Sequence, residues 1–175
     1  LQSGAPLSVS SGGTLTLEGT LQNSGVVTIQ NGGSFLQGAG SGITGSGTFS
    51  IQRQGGSYYN MWSSPITSQS GVPGTSYAYN SAASTQDDSD DQPSDPGWGS
   101  YNGVMTAGVG YAGFGGNLAT FTGTPNNGNI NRSLFFSAFD NTYTAASGGT
   151  PFNLVGNPYP SAISAASFIA ANGDL

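Results

Sequence analysis

The sequence contains no cysteine, no histidine and no lysine, and its only basic side chains are Arg53 and Arg132. Without cysteine the chain has no disulfide bond, no thiolate metal site and no cysteine nucleophile. Without histidine it lacks the commonest general base and the commonest transition-metal ligand, so Ser-His-Asp catalysis is excluded. Nothing in the sequence brings Glu18 and Asp140 together as a carboxylate pair for glycoside hydrolysis. We therefore predict that the chain is not an enzyme.

Charged residues are also scarce. Only 6% of the residues are Asp, Glu, Lys or Arg and the net charge is −6, whereas an average soluble domain contains about 25% charged residues. The chain has no basic patch that could bind phosphate groups, so nucleic acid and anionic membranes are disfavoured as partners. It also lacks the run of about 18 apolar residues that insertion across a membrane requires.

Small and polar residues take the place of charge. The chain contains 30 glycines together with many Ser, Thr, Asn and Gln residues, a composition typical of an extracellular or bacterial cell-surface protein. A hydrophobic share of 35% and an aromatic share of 11% favour a packed fold over disorder. Residues 1–6 lack a Met and a basic region before an apolar run, so we expect a mature or internal start rather than a signal peptide.

Short apolar alternations separated by glycine turns fill residues 1–53 and predict strands. Two internal echoes accompany them: residues 11–15 recur at 31–35, and residues 19–25 recur at 41–47. A repeat of about 20 residues favours β-solenoid-like coils, each of which buries its apolar side chains by stacking on the next. The alternative is an ordinary meander of hairpins with similar turns.

A second unit is predicted over residues 54–175, where aromatic residues become dense and the echoes stop. Residues 68–100 are rich in Ser, Gly, Pro and Asp and are interpreted as a long connection. Strands are predicted at Gly103–Tyr111, Leu118–Gly123, Ser133–Phe139 and Phe152–Val155, and one short helix at Ser161–Ala171. The complete fold prediction is all-β: solenoid-like coils followed by a β-sandwich or jelly-roll-like unit with one short helix.

Two motifs carry a resemblance to a known group of proteins. The sequence YYNMWSSPI at residues 58–66 and the sequence NLVGNPYPSAI at residues 153–163 resemble a pair of motifs in large secreted surface proteins of Bacteroidota. The resemblance implies export by the type IX secretion route and a role in adhesion, gliding or surface coating. Such proteins usually continue into a C-terminal sorting domain, so we expect a fragment without that domain or a processed chain whose sheet a neighbour completes.

Aromatic side chains form one candidate site. Tyr58, Tyr59, Trp62, Trp98 and Tyr101, with Tyr111, are predicted either as a platform for sugar rings or as core and subunit-interface residues. The two arginines are predicted to be structural, each bound to a carboxylate or to backbone carbonyls at a strand end.

The functional expectation is an extracellular structural or adhesive surface protein. A self-assembling filament subunit is one form of this expectation, because exposed strand edges can pair with a neighbour. The expected partners are further copies of the chain, a cell surface or a glycan. The alternative is a carbohydrate-binding module of a larger secreted protein.

An acidic loop at residues 84–97 is the candidate metal site. Asp87, Asp88, Asp90, Asp91 and Asp95 lie close together in the sequence, and Ca²⁺ prefers six to eight carboxylate and carbonyl oxygens. The spacing is not that of an EF-hand, and a solvated loop without metal is the alternative.

Calcium titration followed by thermal melting distinguishes the two interpretations of the acidic loop. If Ca²⁺ binds the folded chain, the melting temperature rises with the Ca²⁺ concentration, because a ligand specific for the folded state stabilises it by mass action. Magnesium at the same ionic strength is the control. An unchanged melting temperature contradicts the metal site.

Overall fold

A computed structural model of the protein describes residues 1–81, 97–115, 117–134 and 153–173. These residues form fourteen β-strands in several sheets and one short α-helix. The chain is therefore mostly β, as its alternating apolar residues predict. Within these four ranges, no helix has the length and apolar character needed to cross a bilayer.

The first seven strands are short and pair only in parallel with one another. They are β1 (Pro6–Val9), β2 (Thr14–Leu17), β3 (Thr20–Gln22), β4 (Val26–Ile29), β5 (Ser34–Gln37), β6 (Gly42–Thr44) and β7 (Thr48–Gln54). Strand β1 pairs with β4 and β4 with β7, while β2 pairs with β5 and β3 with β6. Each strand thus pairs with the strand three places later, and consecutive strands belong to different sheets.

The pairing register follows the two sequence echoes. Leu15 in the first echo lies beside Phe35, which occupies the same position in its repeat. Leu21 in the second echo lies beside Ile43, its equivalent in the later copy. The repeated sequences therefore occupy neighbouring positions in the same sheet, and residues with equivalent surroundings share the same apolar or polar character.

Inward-facing side chains of these strands form much of the core. Val27, Ile29, Phe35, Phe49 and Ile51 are fully buried. Phe35 and Phe49 come from different sheets, and their ring centroids lie 5.0 Å apart, a separation typical of stabilising aromatic pairs. Alternate residues of a strand point to opposite sides, and β4 and β7 accordingly alternate buried side chains with more exposed ones.

One corner of the parallel region requires glycine. The backbone N–H of Asn23, which is fully buried, donates to Thr44 O at 2.7 Å, and its side-chain oxygen accepts from Gly25 N at 3.0 Å. Gly45 passes against the Asn23 backbone with φ 95°, and a Cβ at this position would overlap that backbone. Both the left-handed conformation and the lack of space exclude other residues.

The remaining elements are mainly antiparallel. They are β8 (Tyr59–Trp62), β9 (Gln69–Ser70), β10 (Thr75–Tyr79), β11 (Trp98–Ser100), β12 (Val104–Met105), β13 (Tyr111–Phe114), β14 (Leu118–Gly123) and α1 (Ala165–Ala171). Four of these strands form one antiparallel sheet in the order β11-β10-β13-β8, and β9 pairs with β12.

Strand β14 connects the two halves of the chain. It pairs antiparallel with β7, which places Phe121 opposite Ile51. Phe121 is buried, and its ring lies 6.2 Å from that of Trp62 on β8. Paired strands and a shared hydrophobic core therefore join residues 1–53 to residues 54–175. The division of the chain into two units at this point stays a prediction.

Several predicted elements differ from those observed. The long connection predicted over residues 68–100 is wrong in part, because β9, β10 and β11 lie within it; the alternation in Thr75–Tyr79 is short and surrounded by Gly and Pro. The strand predicted at Gly103–Tyr111 is wrong as a single strand. A turn containing Gly108, with φ 81°, separates β12 from β13.

Other predicted elements are confirmed or shortened. The strand Leu118–Gly123 is confirmed as β14. The helix begins at Ala165 rather than at Ser161. Ser164 is its N-cap, since the Ser164 side chain accepts a hydrogen bond from Ser167 N. Of the predicted strand Phe152–Val155, Val155 forms a single bridge to Val109, and Phe152 lies outside the described residues. Ser133 and Leu134 are not in a strand, and the rest of Ser133–Phe139 lies outside the described residues.

Replacing Gly45 by alanine is expected to destabilise the parallel region more than the same change at Gly40. Gly40 also has positive φ, 80°, but no atom lies within 4 Å of an added Cβ. Gly40→Ala therefore tests the backbone conformation alone, at about 1–2 kcal/mol, and Gly45→Ala adds a steric cost of about 1–3 kcal/mol. Urea unfolding measures the free energy of unfolding of both variants. An equal loss of free energy in the two would contradict the close contact between Gly45 and the Asn23 backbone.

Candidate interaction surfaces

Six apolar side chains share one side of the four-stranded antiparallel sheet. The register places Tyr59 opposite Phe114 and Tyr79 opposite Trp98. Ala112 lies between Met61 on one neighbouring strand and Tyr77 on the other. Directly opposed residues lie on the same side of an antiparallel sheet. We call this surface the outer face, formed by Tyr59, Met61, Tyr77, Tyr79, Trp98 and Phe114.

Much of the outer face is accessible to solvent. The exposed fraction is 60% for Tyr59, 64% for Met61, 47% for Phe114 and 38% for Trp98. Single exposed apolar residues are ordinary, but a contiguous group of them marks an interaction surface. The outer face is such a group.

Ring contacts hold the aromatic side chains in place. The ring centroid of Tyr59 lies 5.3 Å from that of Phe114 and 6.1 Å from that of Tyr77. Tyr59 on β8 and Tyr77 on β10 are diagonal neighbours, and their rings meet across the intervening strand β13. Tyr79 and Trp98 form a second pair at 5.1 Å. The outer face is therefore a fixed arrangement of rings on a rigid sheet.

The opposite side of this sheet belongs to the core. Trp62 and Tyr111 are buried, and the ring of the half-buried Tyr101 lies 4.9 Å from that of Tyr111. Burial, followed by the hydrogen bond to Tyr111 and the charge interaction with it, raises the pKa of Tyr101. Trp62 and Tyr111 belong to the hydrophobic core, and Tyr101 packs against it.

The predicted aromatic site is thus divided between two environments. Tyr59 and Trp98 lie on the outer face, Trp62 and Tyr101 lie on its reverse side, and Tyr58 precedes β8 with 79% of its surface exposed. Sequence reasoning missed Met61, Tyr77, Tyr79 and Phe114. The alternation of Tyr77 and Tyr79 with Ser76 and Ala78 is the signal that could have identified part of this face.

A second surface lies at one end of the parallel region. No described residue forms a ladder with the outer edge of β1 or of β2. Leu7 and Leu15 on these strands are only half-buried, whereas Val27 and Phe35, their partners one repeat later, are fully buried. We call the outer edges of β1 and β2 the open end.

Along β1 and β2, backbone groups that bond to the neighbouring strand alternate with groups that point away from it. Val9 O accepts from Gln30 N at 2.9 Å, and Leu17 O accepts from Gly38 N at 2.9 Å. In a parallel ladder the backbone groups of successive residues point to opposite sides. The N–H and C=O groups of Ser8 and Thr16 therefore point toward the unpaired side.

Asn126 joins the two motifs identified in the sequence. Its side-chain nitrogen donates to Ser64 O at 3.0 Å and to Pro158 O at 2.8 Å, and its backbone N–H donates to Pro65 O at 3.0 Å. Asn126 is buried, so these bonds satisfy carbonyl groups that water does not reach. The two motifs are far apart in the sequence and meet through this one amide.

Arg53 binds the second motif to the parallel region. Its guanidinium donates to Gln52 O at 2.8 Å and to Pro160 O at 3.1 Å, and Pro160 O also accepts from Phe35 N at 3.0 Å. Burial lowers the pKa of Arg53. Arg132 donates from Nε to Ala107 O at 2.5 Å. Of the two kinds of partner predicted for the arginines, a carboxylate or backbone carbonyls, the structure shows carbonyls for both.

A cavity of about 670 Å³ lies beside this contact, with Arg53, Trp62 and Asn157 among its lining residues. Its arginine already serves two carbonyls, and Asn157 donates to Ser161 O at 2.6 Å and accepts from Tyr159 N at 3.0 Å. These polar groups support the local fold.

The predicted calcium ligands Asp87, Asp88, Asp90, Asp91 and Asp95 lie outside the described residues, as does Asp140. Glu18 is the only acidic side chain in the part of the chain that the structure describes, and no cluster of metal-ligating side chains occurs there. The calcium site stays a prediction.

Taken together, the strands and the two surfaces define a mostly β protein with an exposed aromatic sheet face and an unpaired strand end. Residues 1–175 match the model of the family described as "Domain of unknown function (DUF8693)", and the chain belongs to that family. No curated protein and no solved structure matches it.

Replacing Asn126 by alanine is expected to lower the free energy of unfolding substantially. The change leaves two buried carbonyl groups without a donor, and each such group costs about 1–3 kcal/mol. The neighbouring exposed residue provides the control: Asn127→Ala is expected to stay within about 0.5 kcal/mol of the unsubstituted protein. Urea unfolding measures both, and a loss no larger for Asn126→Ala than for Asn127→Ala would contradict the proposed bridge.

Proposed function

We propose that the chain is an extracellular structural or adhesive protein of the bacterial cell surface, which self-associates by strand contact and does not catalyse a reaction. The open end is the observation that carries this proposal. Unpaired N–H and C=O groups along a strand form a template on which another strand can add.

The finer fold assignment is part of the proposal. We assign β1 to β7 to successive coils of a β-solenoid, an interpretation supported by the parallel pairing of every third strand and by the agreement of this pairing with the two sequence echoes. We assign the antiparallel sheet to a sandwich-like layer, supported by the packing of Trp62 against Phe121.

Solenoid packing explains why the open end favours association. Each repeat buries its apolar side chains only against its neighbours, so a strand that has no partner on one edge leaves its apolar side chains incompletely covered. Leu7 and Leu15 are half-buried where their partners Val27 and Phe35 are fully buried. A further strand layer would complete their burial and satisfy the backbone groups of Ser8 and Thr16.

The proposed location and export route depend on the sequence. Low charge and abundant Gly, Ser and Thr support an extracellular position. The resemblance of residues 58–66 and 153–163 to motifs of Bacteroidota surface proteins supports the type IX route. Their contact through Asn126 gives the two motifs a joint structural role, consistent with their occurrence as a pair.

Sedimentation velocity over a range of concentrations tests the proposed association. The purified chain is expected to associate as its concentration rises, and the double variant Ser8→Pro with Thr16→Pro is expected to associate at least about tenfold more weakly. The prolines remove the two outward N–H donors, each worth about 1 kcal/mol net, and about 1.4 kcal/mol corresponds to a factor of ten.

The matched control is the double variant Ser8→Ala with Thr16→Ala, which removes the same side chains and retains both N–H groups. It is expected to associate like the unsubstituted chain, and circular dichroism establishes that all three proteins are folded. A chain that sediments as a monomer at every concentration contradicts the proposal, as does equal weakening by proline and alanine.

A further inference from the structure

We propose that the outer face binds a neutral polysaccharide, with sugar rings stacked on the exposed rings of Tyr59, Phe114 and Trp98. This site lies on a different sheet from the open end and goes beyond the proposed self-association.

The chemistry of the outer face favours a sugar. An aromatic ring carries negative electrostatic potential on its face, and the C–H groups of a pyranose ring carry a weak positive potential. Stacking therefore joins the apolar side of the sugar to the ring while its hydroxyl groups remain in water. Thr75 and Ser100 are exposed on the same side of the sheet, opposite Phe114 and Tyr77, and their hydroxyl groups can bond to those of the sugar.

Charge indicates that the polysaccharide is neutral. Strands β8, β10, β11 and β13 contain no Asp, Glu, Lys or Arg. A uronate or sulfate group at this surface would find no cation, and the net charge of −6 would repel a polyanion. A neutral polysaccharide has neither unpaired anionic groups at this surface nor repulsion from the negative net charge of the protein.

The area of the outer face distinguishes a glycan from a second copy of the protein. A fully exposed aromatic side chain contributes about 200 Å², so the exposed fractions of Tyr59, Met61, Phe114 and Trp98 correspond to about 400 Å². A stable protein interface buries about 800 Å² on each partner. The four most exposed side chains of the outer face therefore supply about half of the area that a stable protein interface buries on each partner, whereas a few sugar rings need no larger surface.

Preorganisation supports binding by this small area. Tyr59 contacts both Phe114 and Tyr77, and Trp98 contacts Tyr79, so the rings are already held before a ligand arrives. Binding then loses little side-chain entropy, which is a main cost of association.

Affinity electrophoresis tests the proposal with soluble neutral polysaccharides in the gel: a β-glucan, a starch glucan, a xylan and a mannan. At least one is expected to retard the unsubstituted chain. The double variant Tyr59→Ala with Trp98→Ala is expected to bind that polysaccharide at least about tenfold more weakly, since about 1.4 kcal/mol corresponds to a factor of ten. Thermal melting establishes that the variant is folded.

Tyr58→Ala is the matched control. Tyr58 is exposed like Tyr59 and adjacent to it in sequence, but it precedes β8 and has no register partner in the sheet that carries the outer face. Its replacement is expected to leave retardation unchanged. No retardation by any neutral polysaccharide, retardation by alginate or pectate alone, or equal weakening by Tyr58→Ala would overturn the proposal.

Fluorescence provides a second readout in which every residue of the outer face is left unchanged. The chain has two tryptophans, so Trp62→Phe leaves Trp98 as the only one. A neutral polysaccharide that binds the outer face is expected to shift the Trp98 emission to shorter wavelength, and an unchanged spectrum under conditions of retardation contradicts binding there. The Ser8→Pro with Thr16→Pro variant is expected to retain retardation, which separates this site from the open end.

Discussion

Burial of apolar rows between parallel strands is the constraint on which the structure depends. The chain has no cysteine for disulfide bonds and few charges for ion pairs, so its stability comes from packing and backbone hydrogen bonds. The ring centroids of Phe35 on β5 and Phe49 on β7, which belong to different sheets, lie 5.0 Å apart. The glycine corners follow from this requirement, since tight stacking at Asn23 leaves no space for a side chain at Gly45.

The two sequence motifs extend this packing to the rest of the chain. Pro160 O receives hydrogen bonds from Phe35 N and from Arg53, so the second motif lies directly on the parallel strands. Asn126 then ties that motif to Ser64 in the first motif. The most recognisable residues of the sequence are therefore structural, and they hold the antiparallel sheet in a fixed position from which its outer face is exposed.

Sequence reasoning identified the local features of this fold and missed those that depend on distant partners. The two echoes correspond to the observed register because equivalent residues, such as Leu15 and Phe35, stack on each other. Strand β14 was recognisable from its alternation. The outer face was not recognisable, since Tyr59 and Tyr77 meet only across a third strand, β13. The role of Asn126 was equally invisible, because its partners Ser64 and Pro158 are distant from it in the sequence.

The absence of charge from the strands that carry both surfaces has a physical consequence for the contacts proposed there. Contacts between charged groups weaken as salt screens them over about 10 Å at 0.1 M. The strand pairing proposed at the open end and the ring stacking proposed on the outer face rely instead on backbone hydrogen bonds, apolar burial and aromatic contact, which salt screens little. Salts excluded from protein surfaces strengthen apolar burial. Contacts of this kind persist when the ionic strength changes, and the absence of Lys, Arg, Asp and Glu from these strands is the sequence property that makes this possible.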